Sequence, residues 1–229
     1  MLDITYPPVI VTAKMLFKLM RQRVVVSGSE SIPRKGGALL AINHTGYIDF
    51  IYAGAGAEPQ KRLVRFMIKK EMMDKPGVGH LLRSFHHIRV DRGSGGLQSM
   101  KDALAYLKAG EVVGIYPEAT ISRSFEIKEL KSGAARIAAD AGVPLIPVIV
   151  WGGAHRLMTK DHEKDFSRSP KTIVVKVGGS RCTRPARTSP PRPPSCVRRC
   201  SGCSTRSSPS TPRRREGAGL LVDAPPASA

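Results

Sequence analysis

The sequence predicts an α/β fold in which a mixed, mostly parallel sheet is covered by helices. Short apolar runs of strand length alternate with segments of helical spacing from residue 23 to residue 178. Gly110 and Gly142 close two of the helical segments, as residues with easy access to positive φ commonly do. Such alternation is typical of α/β domains, whose helices cover both faces of the sheet.

Each strand is predicted from a β-branched or apolar run. The first run ends at Gly28, and the second leads directly into Asn43 and His44. The predicted strands are residues 23–27, 38–42, 63–68, 88–90, 112–116, 145–150 and 173–177. Helices are predicted where apolar or small residues recur at helical spacing, at residues 47–55, 78–85, 97–108 and 132–141.

Residues 1–22 predict an amphipathic helix that lies in a membrane interface. Lys14, Lys18 and Arg21 share one face of a helical wheel, and Met15 and its bulky apolar neighbours cover the other. A surface helix that packs on its own domain would show the same pattern. No run reaches the roughly 18–20 apolar residues that span a bilayer, and no basic segment precedes the first apolar run. We therefore expect neither a transmembrane helix nor a signal peptide.

Residues 179–229 predict a basic, disordered tail behind a domain at residues 23–178. This segment holds nine of the eighteen prolines, ten arginines and all four cysteines. It cannot bury enough apolar area to offset an ordering entropy of about 1–2 kcal/mol per residue. Its composition is also typical of a GC-rich coding region translated out of frame. Because residues 23–178 contain no cysteine, no disulfide can form there.

The charge balance restricts the classes of partner. A formal net charge of +19 attracts nucleic acid, anionic lipid headgroups and phosphorylated substrates alike. A nonspecific nucleic-acid-binding protein is therefore an alternative function. Aromatic residues make up only 5% of the chain, and no recognition motif is visible, so we expect no specific nucleic acid.

The most informative segment is residues 38–49, ALLAINHTGYID. A buried strand ends there, His44 follows in the loop, and Asp49 comes five positions later at the start of a helix. The spacing allows Asp49 to accept a hydrogen bond from one ring nitrogen, which leaves the other nitrogen as a proton acceptor. This is a Ser-His-Asp arrangement without the serine, as expected if the substrate hydroxyl is the nucleophile.

Four blocks in order resemble those of the glycerolipid acyltransferases, the 1-acylglycerol-3-phosphate (lysophosphatidate) acyltransferase group. The blocks are NHTGYID at residues 43–49, HIRVDR at 87–92, YPEAT at 116–120 and VPLIPV at 143–148. Ala119 and His86 stand where the family commonly has glycine. Ile121 replaces the arginine of the third block, and Arg123 lies two positions further on.

The resemblance implies a glycerol-phosphate acyltransferase-like fold and assigns roles to seven residues. His44 would be the general base and Asp49 would orient it. The acceptor's phosphate and glycerol would be held by five others: Lys69, Arg92, Glu118, Thr120 and Arg123. Surface charge is the alternative for Lys69 and Arg123, and anchoring of loops is the alternative for Glu118.

The implied reaction moves a fatty acyl group from acyl-CoA or acyl carrier protein to 1-acylglycerol-3-phosphate and gives phosphatidate. Glycerol-3-phosphate, another lysophospholipid and a glycolipid are alternative acceptors. No cofactor is expected, and no metal either, since His86 and His87 would point to opposite faces of a strand. The expected location is the cytoplasmic face of a bacterial cell membrane, peripheral or monotopic, on anionic lipid.

Overall fold

The structure, a computed structural model, describes residues 6–91, 93, 96–122, 124, 126–152, 170–179 and 181–182. The strands are β1 (Gln22–Ser27), β2 (Ala38–Ile42), β3 (Val64–Lys69), β4 (Ile88–Val90), β5 (Val112–Ile115), β6 (Pro144–Gly152), β7 (Lys171–Val177) and β8 (Arg181–Cys182). The helices are α1 (Tyr6–Leu19), α2 (Asp49–Ala57), α3 (Lys70–Met73), α4 (Val78–Ser84), α5 (Leu97–Lys108) and α6 (Gly133–Ala141).

All described strands belong to one sheet, with the order β1-β7-β6-β2-β5-β3-β4 and β8 beside β6. The pairs β1/β7, β6/β2, β2/β5, β5/β3 and β3/β4 are parallel. Only the two pairs that β6 forms with β7 and β8 are antiparallel among the described strands. The predicted fold class, a mixed and mostly parallel sheet with helices, is confirmed.

Helices cover both faces of the sheet. One apolar cluster lies under α2 and includes Leu40, Tyr52 and Val175. The other lies under α5 and α6 and includes Leu39, Ala103 and Ile137. Consecutive side chains of β2 therefore point into different clusters, as the two-residue repeat of a strand requires. A strand buried on both faces needs a continuous apolar run, which residues 38–42 supply.

Helix α1 packs on the domain through one face and exposes another. The Phe17 ring stacks on Tyr52 with a centroid distance of 5.1 Å, and the Lys14 ammonium lies 2.6 Å from a Glu58 carboxylate oxygen. Met15 and Leu19 are 68% and 63% exposed. The sequence pattern left open whether this helix packs on its own domain or lies in a membrane interface. In the structure one face packs on the domain, and the apolar side chains of another face stay exposed. Helices in the described part of the chain fall short of the length and apolarity that crossing a membrane requires.

Most elements differ from their predicted bounds by one or two residues at an end, and three differences are of note. Helix α2 begins at Asp49 rather than at residue 47, because the Asp49 carboxylate holds the preceding loop in a turn. The short helix α3, directly after β3, has too few residues for a periodic pattern. Strand β8 lies a few residues beyond the predicted domain boundary at residue 178 and pairs with the start of β6. Apart from residues 179, 181 and 182, the predicted disordered tail lies outside the described residues.

Candidate active site

The sheet order brings the first three of the four sequence blocks to one edge of the sheet, whereas the fourth forms the start of β6. Strands β2, β5, β3 and β4 are neighbours and parallel, so their carboxyl ends share that edge. His44 follows β2, Glu118 follows β5, Lys69 ends β3 and Asp91 follows β4. The carboxyl edge of parallel strands is where α/β proteins place their ligands.

Asn43 fixes the point at which His44 leaves the sheet. Its side-chain nitrogen donates to the Val150 carbonyl at 3.1 Å, and its side-chain oxygen accepts from the Val150 N–H at 2.8 Å. The buried amide thereby continues the pairing of β2 with β6 for one more residue. Since amide and peptide groups match in both donor and acceptor, asparagine suits this position.

The Asp49 carboxylate organises the loop that carries His44. Its Oδ2 accepts hydrogen bonds from the backbone N–H groups of Thr45 and Gly46, both at 2.7 Å. Asp49 is fully buried in the first turn of α2, where the helix dipole favours a negative charge. Its Oδ1 is also buried and has no hydrogen-bond partner among the described residues.

The same oxygen orients the imidazole of His44. Nδ1 of His44 lies 3.3 Å from Oδ2 of Asp49. An ionised carboxylate only accepts hydrogen bonds, so this contact favours the tautomer that has the proton on Nδ1 and a lone pair on Nε2. The His44 side chain is 21% exposed, whereas Asp49 is inaccessible. A substrate hydroxyl can therefore reach the imidazole but not the acid behind it.

The loop after β5 holds the backbone of His44 on two sides. One Glu118 carboxylate oxygen accepts the His44 N–H at 2.9 Å, and the other accepts the Lys128 N–H at 3.2 Å. The Ser122 N–H donates to the His44 carbonyl at 2.7 Å. Glu118 is buried and thus joins two loops, the role considered above as the alternative to binding glycerol.

Two tyrosines lie close to the acid or to the base. The Tyr116 ring stacks on the His44 imidazole with centroids 4.2 Å apart and an interplanar angle of 27°. Burial raises the pKa of the Tyr116 phenol well above its ordinary value, and the negative charge of Asp49 adds to this rise. Burial followed by the Asp49 charge also raises the pKa of Tyr52. Both phenols therefore stay neutral, and the only described anion that contacts the imidazole ring is Asp49.

The remaining predicted residues lie at the end of β3, in the loop after β5 or outside the described residues. The Lys69 ammonium lies 3.5 Å from a Glu71 carboxylate oxygen, and β5 separates its strand from β2. Thr120 is exposed in the loop after β5. Arg92 and Arg123 lie outside the described residues, so their assignments stay predictions.

Three residues at the site were not predicted from the sequence: Asn43, Tyr116 and Ser122. Asn43 could have been recognised from its place between a buried strand and His44, where a backbone-like amide is useful. Tyr116 could have been noted as the aromatic residue that begins the loop after β5, at the sheet edge where His44 lies. Ser122 acts through its backbone N–H, which no side-chain pattern reveals.

Among the described residues, histidines and acids do not gather into any group of three or more that could hold a metal ion. His87, considered above as a ligand, is buried, and its Nδ1 accepts a hydrogen bond from the Phe66 N–H at 3.2 Å. That nitrogen is therefore already used inside the protein.

An accessible imidazole, oriented by an inaccessible acid at the carboxyl edge of an α/β sheet, is an arrangement that can accept a proton from a hydroxyl group. The acyltransferase family model matches residues 23–151. The chain belongs to the acyltransferase family and is an O-acyltransferase. This membership favours the enzyme over the nucleic-acid-binding alternative.

Individual relatives agree with the family match. The chain is 33% identical over 163 residues to the 1-acyl-sn-glycerol-3-phosphate acyltransferase of Bacillus subtilis (strain 168), covering 66% of this chain and 80% of that protein. It is 28% identical over 159 residues to the Pseudomonas aeruginosa protein of the same name, covering 68% of this chain and 58% of that protein. The chain thus spans little more than half of the Pseudomonas protein.

A solved structure shares the fold. The lysophosphatidate acyltransferase PlsC from Thermotoga maritima superposes with a TM-score of 0.63 at 24% identity. The match covers 77% of this chain and 68% of that chain. The likeness extends the agreement from sequence blocks to the arrangement of the sheet and helices.

Proposed function

We propose that the protein transfers a fatty acyl group from a thioester to the free hydroxyl of 1-acylglycerol-3-phosphate and forms phosphatidate. The hydroxyl oxygen attacks the thioester carbonyl carbon while Nε2 of His44 takes its proton. The carbon–sulfur bond then breaks, and the proton returns to the departing thiolate. Asp49 stabilises the imidazolium that exists between these two steps.

The observation that carries the proposal is the pairing of a partly exposed imidazole with an inaccessible carboxylate oxygen 3.3 Å away. This pairing sets the tautomer that general-base catalysis needs. The names of the Bacillus and Pseudomonas relatives support the acceptor. The base supplies on the order of 10²–10⁴-fold in rate, and positioning of both substrates supplies much of the rest.

The acceptor phosphate is assigned to cations that end or follow β3, β4 and β5 in the sequence. Arg92 follows β4 in the sequence, and a guanidinium binds phosphate through two parallel hydrogen bonds. Lys69 and Arg123 are assigned to secondary contacts, and Thr120 to the acceptor's glycerol. The exchange of the third block's arginine for Ile121 keeps glycerol-3-phosphate, another lysophospholipid and a glycolipid as alternative acceptors.

The proposed reaction needs no cofactor beyond its acyl thioester. The thioester is activated before it reaches the protein, and the base and its acid are side chains of the chain itself. The donor is acyl-CoA or acyl carrier protein, and parallel assays with both donors separate them. The proposed place of action is the cytoplasmic face of a bacterial membrane, supported by the exposed apolar side chains of α1.

The test of the proposed function is His44→Ala in the full chain. Acyl transfer should fall by about 10²–10⁴-fold because the proton acceptor is lost. Mass spectrometry of products from lysophosphatidate, glycerol-3-phosphate, other lysophospholipids and glycolipids measures both the loss and the acceptor. Circular dichroism checks that the variant is folded.

His80→Ala is the matched control, because His80 is an exposed histidine on α4, away from the carboxyl end of β2. It should transfer acyl groups at the wild-type rate. A folded His44→Ala variant with wild-type activity would remove the general base from the proposal.

A further inference from the structure

The Tyr116 ring lies flat against the imidazole of the proposed base. Tyr116 is the first residue after β5, and His44 follows β2 by one residue, so parallel neighbours deliver both rings to one edge. The centroid distance of 4.2 Å and the angle of 27° describe a stacked pair. The Tyr116 ring covers one face of the imidazole, whereas the hydrogen bond to Asp49 is made at the edge of the imidazole.

The backbone around Tyr116 holds the stacked pair together. The Ala119 N–H donates to the Tyr116 carbonyl at 3.0 Å and closes a tight turn. That turn places Glu118, which accepts the His44 N–H, and Ser122, which donates to the His44 carbonyl. One short loop thus binds the backbone of His44 on both sides and lays an aromatic ring on its side chain.

A cation placed over an aromatic face is attracted by the negative potential of the ring when it lies within about 6 Å of the centroid. Neutral imidazole gains far less from the same contact. From this geometry we infer that Tyr116 is a positioning residue that stabilises the His44 imidazolium formed during acyl transfer and keeps the ring plane fixed. The inference rests on the proposed function, because during the reaction the imidazolium forms only if His44 takes a proton from the acceptor.

The titratable neighbours of His44 contact its backbone or the edge of its ring, so the face of the imidazole is contacted by the aromatic ring. From α2, Asp49 bonds the edge of the imidazole, and from the loop after β5, Glu118 bonds the backbone N–H. Tyr116 is the described aromatic residue stacked on the face of the ring. Its phenol oxygen is not needed for stacking, so phenylalanine keeps the stacked ring.

The test replaces Tyr116 in the full chain by phenylalanine and then by mono-, di- and trifluorinated phenylalanine. Fluorine weakens the negative potential of the ring with little change in size. The Phe variant is the reference for the series, because it keeps the stacked ring and lacks only the hydroxyl. Across the series kcat should fall by about threefold to tenfold, and the midpoint of the acid limb of kcat/KM should fall by about half a pH unit to one pH unit.

A second readout does not depend on activity. An NMR titration of the labelled His44 ring should show a midpoint that falls across the same series. The same fluorinated residues at Tyr106, a half-buried tyrosine on α5, should change neither readout.

Several outcomes would overturn the inference. These are a flat kcat and a flat NMR midpoint across the series, or a Phe variant that loses activity, which would assign the role to the hydroxyl. A wild-type chain inactive with every acyl donor and acceptor would instead overturn the proposed function. The NMR midpoint would still decide whether the Tyr116 ring stabilises the imidazolium.

Discussion

Ala119 and His86 adopt backbone conformations that ordinarily require glycine. Their φ angles are 59° and 54°, in the left-handed region. Both stand where the glycerolipid acyltransferase blocks commonly carry glycine. The backbone conformation is therefore the one that glycine adopts most easily, but the residue is not glycine. A non-glycine residue in this region costs roughly 1–2 kcal/mol because its Cβ crowds the following carbonyl oxygen.

Ala119→Gly should therefore stabilise the protein. Glycine relieves the crowding but loses more backbone entropy on folding, so the net gain expected is about 0.5–1 kcal/mol in the free energy of unfolding. Urea denaturation followed by circular dichroism measures it. The loop that holds His44 keeps its conformation, so acyl transfer should stay within a factor of about two of wild type.

Ala105→Gly provides the opposite control. Ala105 is exposed in the interior of α5, where glycine should lower the free energy of unfolding by about 1 kcal/mol. If both variants lose stability to the same extent, the left-handed conformation at residue 119 carries no measurable strain.

The sequence predicted the pairing of the proposed base and its acid better than the contacts that hold the two residues in place. A spacing of five allowed Asp49 to reach His44, and the structure places the two side chains 3.3 Å apart. Glu118 came from a resemblance, and its two roles could be separated only by seeing both oxygens accept backbone N–H groups. The stacking of Tyr116 depends on which strand lies next to β2, and a local pattern does not contain that information.

Elements with strong local signals were predicted with their observed bounds. These are β2, β4 and α5. A continuous apolar run delimits β2, and a helical repeat with a closing glycine delimits α5. The start of α2 was predicted two residues early because the Asp49 carboxylate binds the N–H groups of Thr45 and Gly46. A long-range or side-chain contact that redirects the backbone leaves no periodic trace in the sequence.

Helix α1 packs on the domain through one face and exposes another. Membrane binding by the exposed face can therefore be tested without unfolding the domain. The packed face carries Phe17 and Lys14. The exposed face carries Met15 and Leu19 at a spacing of four residues. Burial of one such side chain in a lipid interface stabilises binding by about 1.5–3 kcal/mol.

The double variant Met15→Glu/Leu19→Glu should bind anionic vesicles at least about tenfold more weakly, because two apolar anchors are lost and two negative charges face the lipid. Vesicle co-sedimentation measures the affinity. The melting temperature should not change, since both side chains are exposed. Wild-type binding should weaken as salt is added, because exposed Lys18 and Arg21 contribute through screened charges.

Leu97→Glu is the control for the helix. Leu97 is 62% exposed on α5, so the variant adds a charge of the same sign at a similar exposure elsewhere. It should bind vesicles as the wild type does. Losses in proportion to the added charge in both variants would assign the effect to net charge and not to α1. Equal wild-type binding to neutral vesicles at every salt concentration would exclude the electrostatic part.

On the scale of the whole molecule, the order of the strands in the sheet brings the residues of the site together. Blocks that lie far apart in sequence meet because β2, β5, β3 and β4 are adjacent and parallel. The sequence predicted most strands but not their order, since pairing is decided by contacts over the whole chain. The placement of β7 between β1 and β6 is such a case.

Buried His87 couples the stability of the whole molecule to pH. Its ring lies among Phe50, Phe66 and Phe85, with centroid distances of 5.6–6.4 Å. Burial lowers the pKa of His87 from 6.5 to about 4, and the charges of Arg65 and His86 add to this effect. Between these two pH values the unfolded chain binds a proton that the folded protein excludes. The stabilisation is therefore fully present above pH 6.5 and is lost as the pH falls toward 4.

His87→Asn should remove this part of the pH dependence. The asparagine side chain can still accept the Phe66 N–H, so the variant loses packing but does not titrate. For the wild type, the free energy of unfolding should fall by about 2 kcal/mol more than for the variant between pH 7.5 and pH 5. Urea denaturation at the two pH values measures the difference. His80→Asn, at an exposed histidine, should keep the wild-type slope, and a His87→Asn slope equal to that of the wild type would show that His87 is protonated in the folded protein at pH 5.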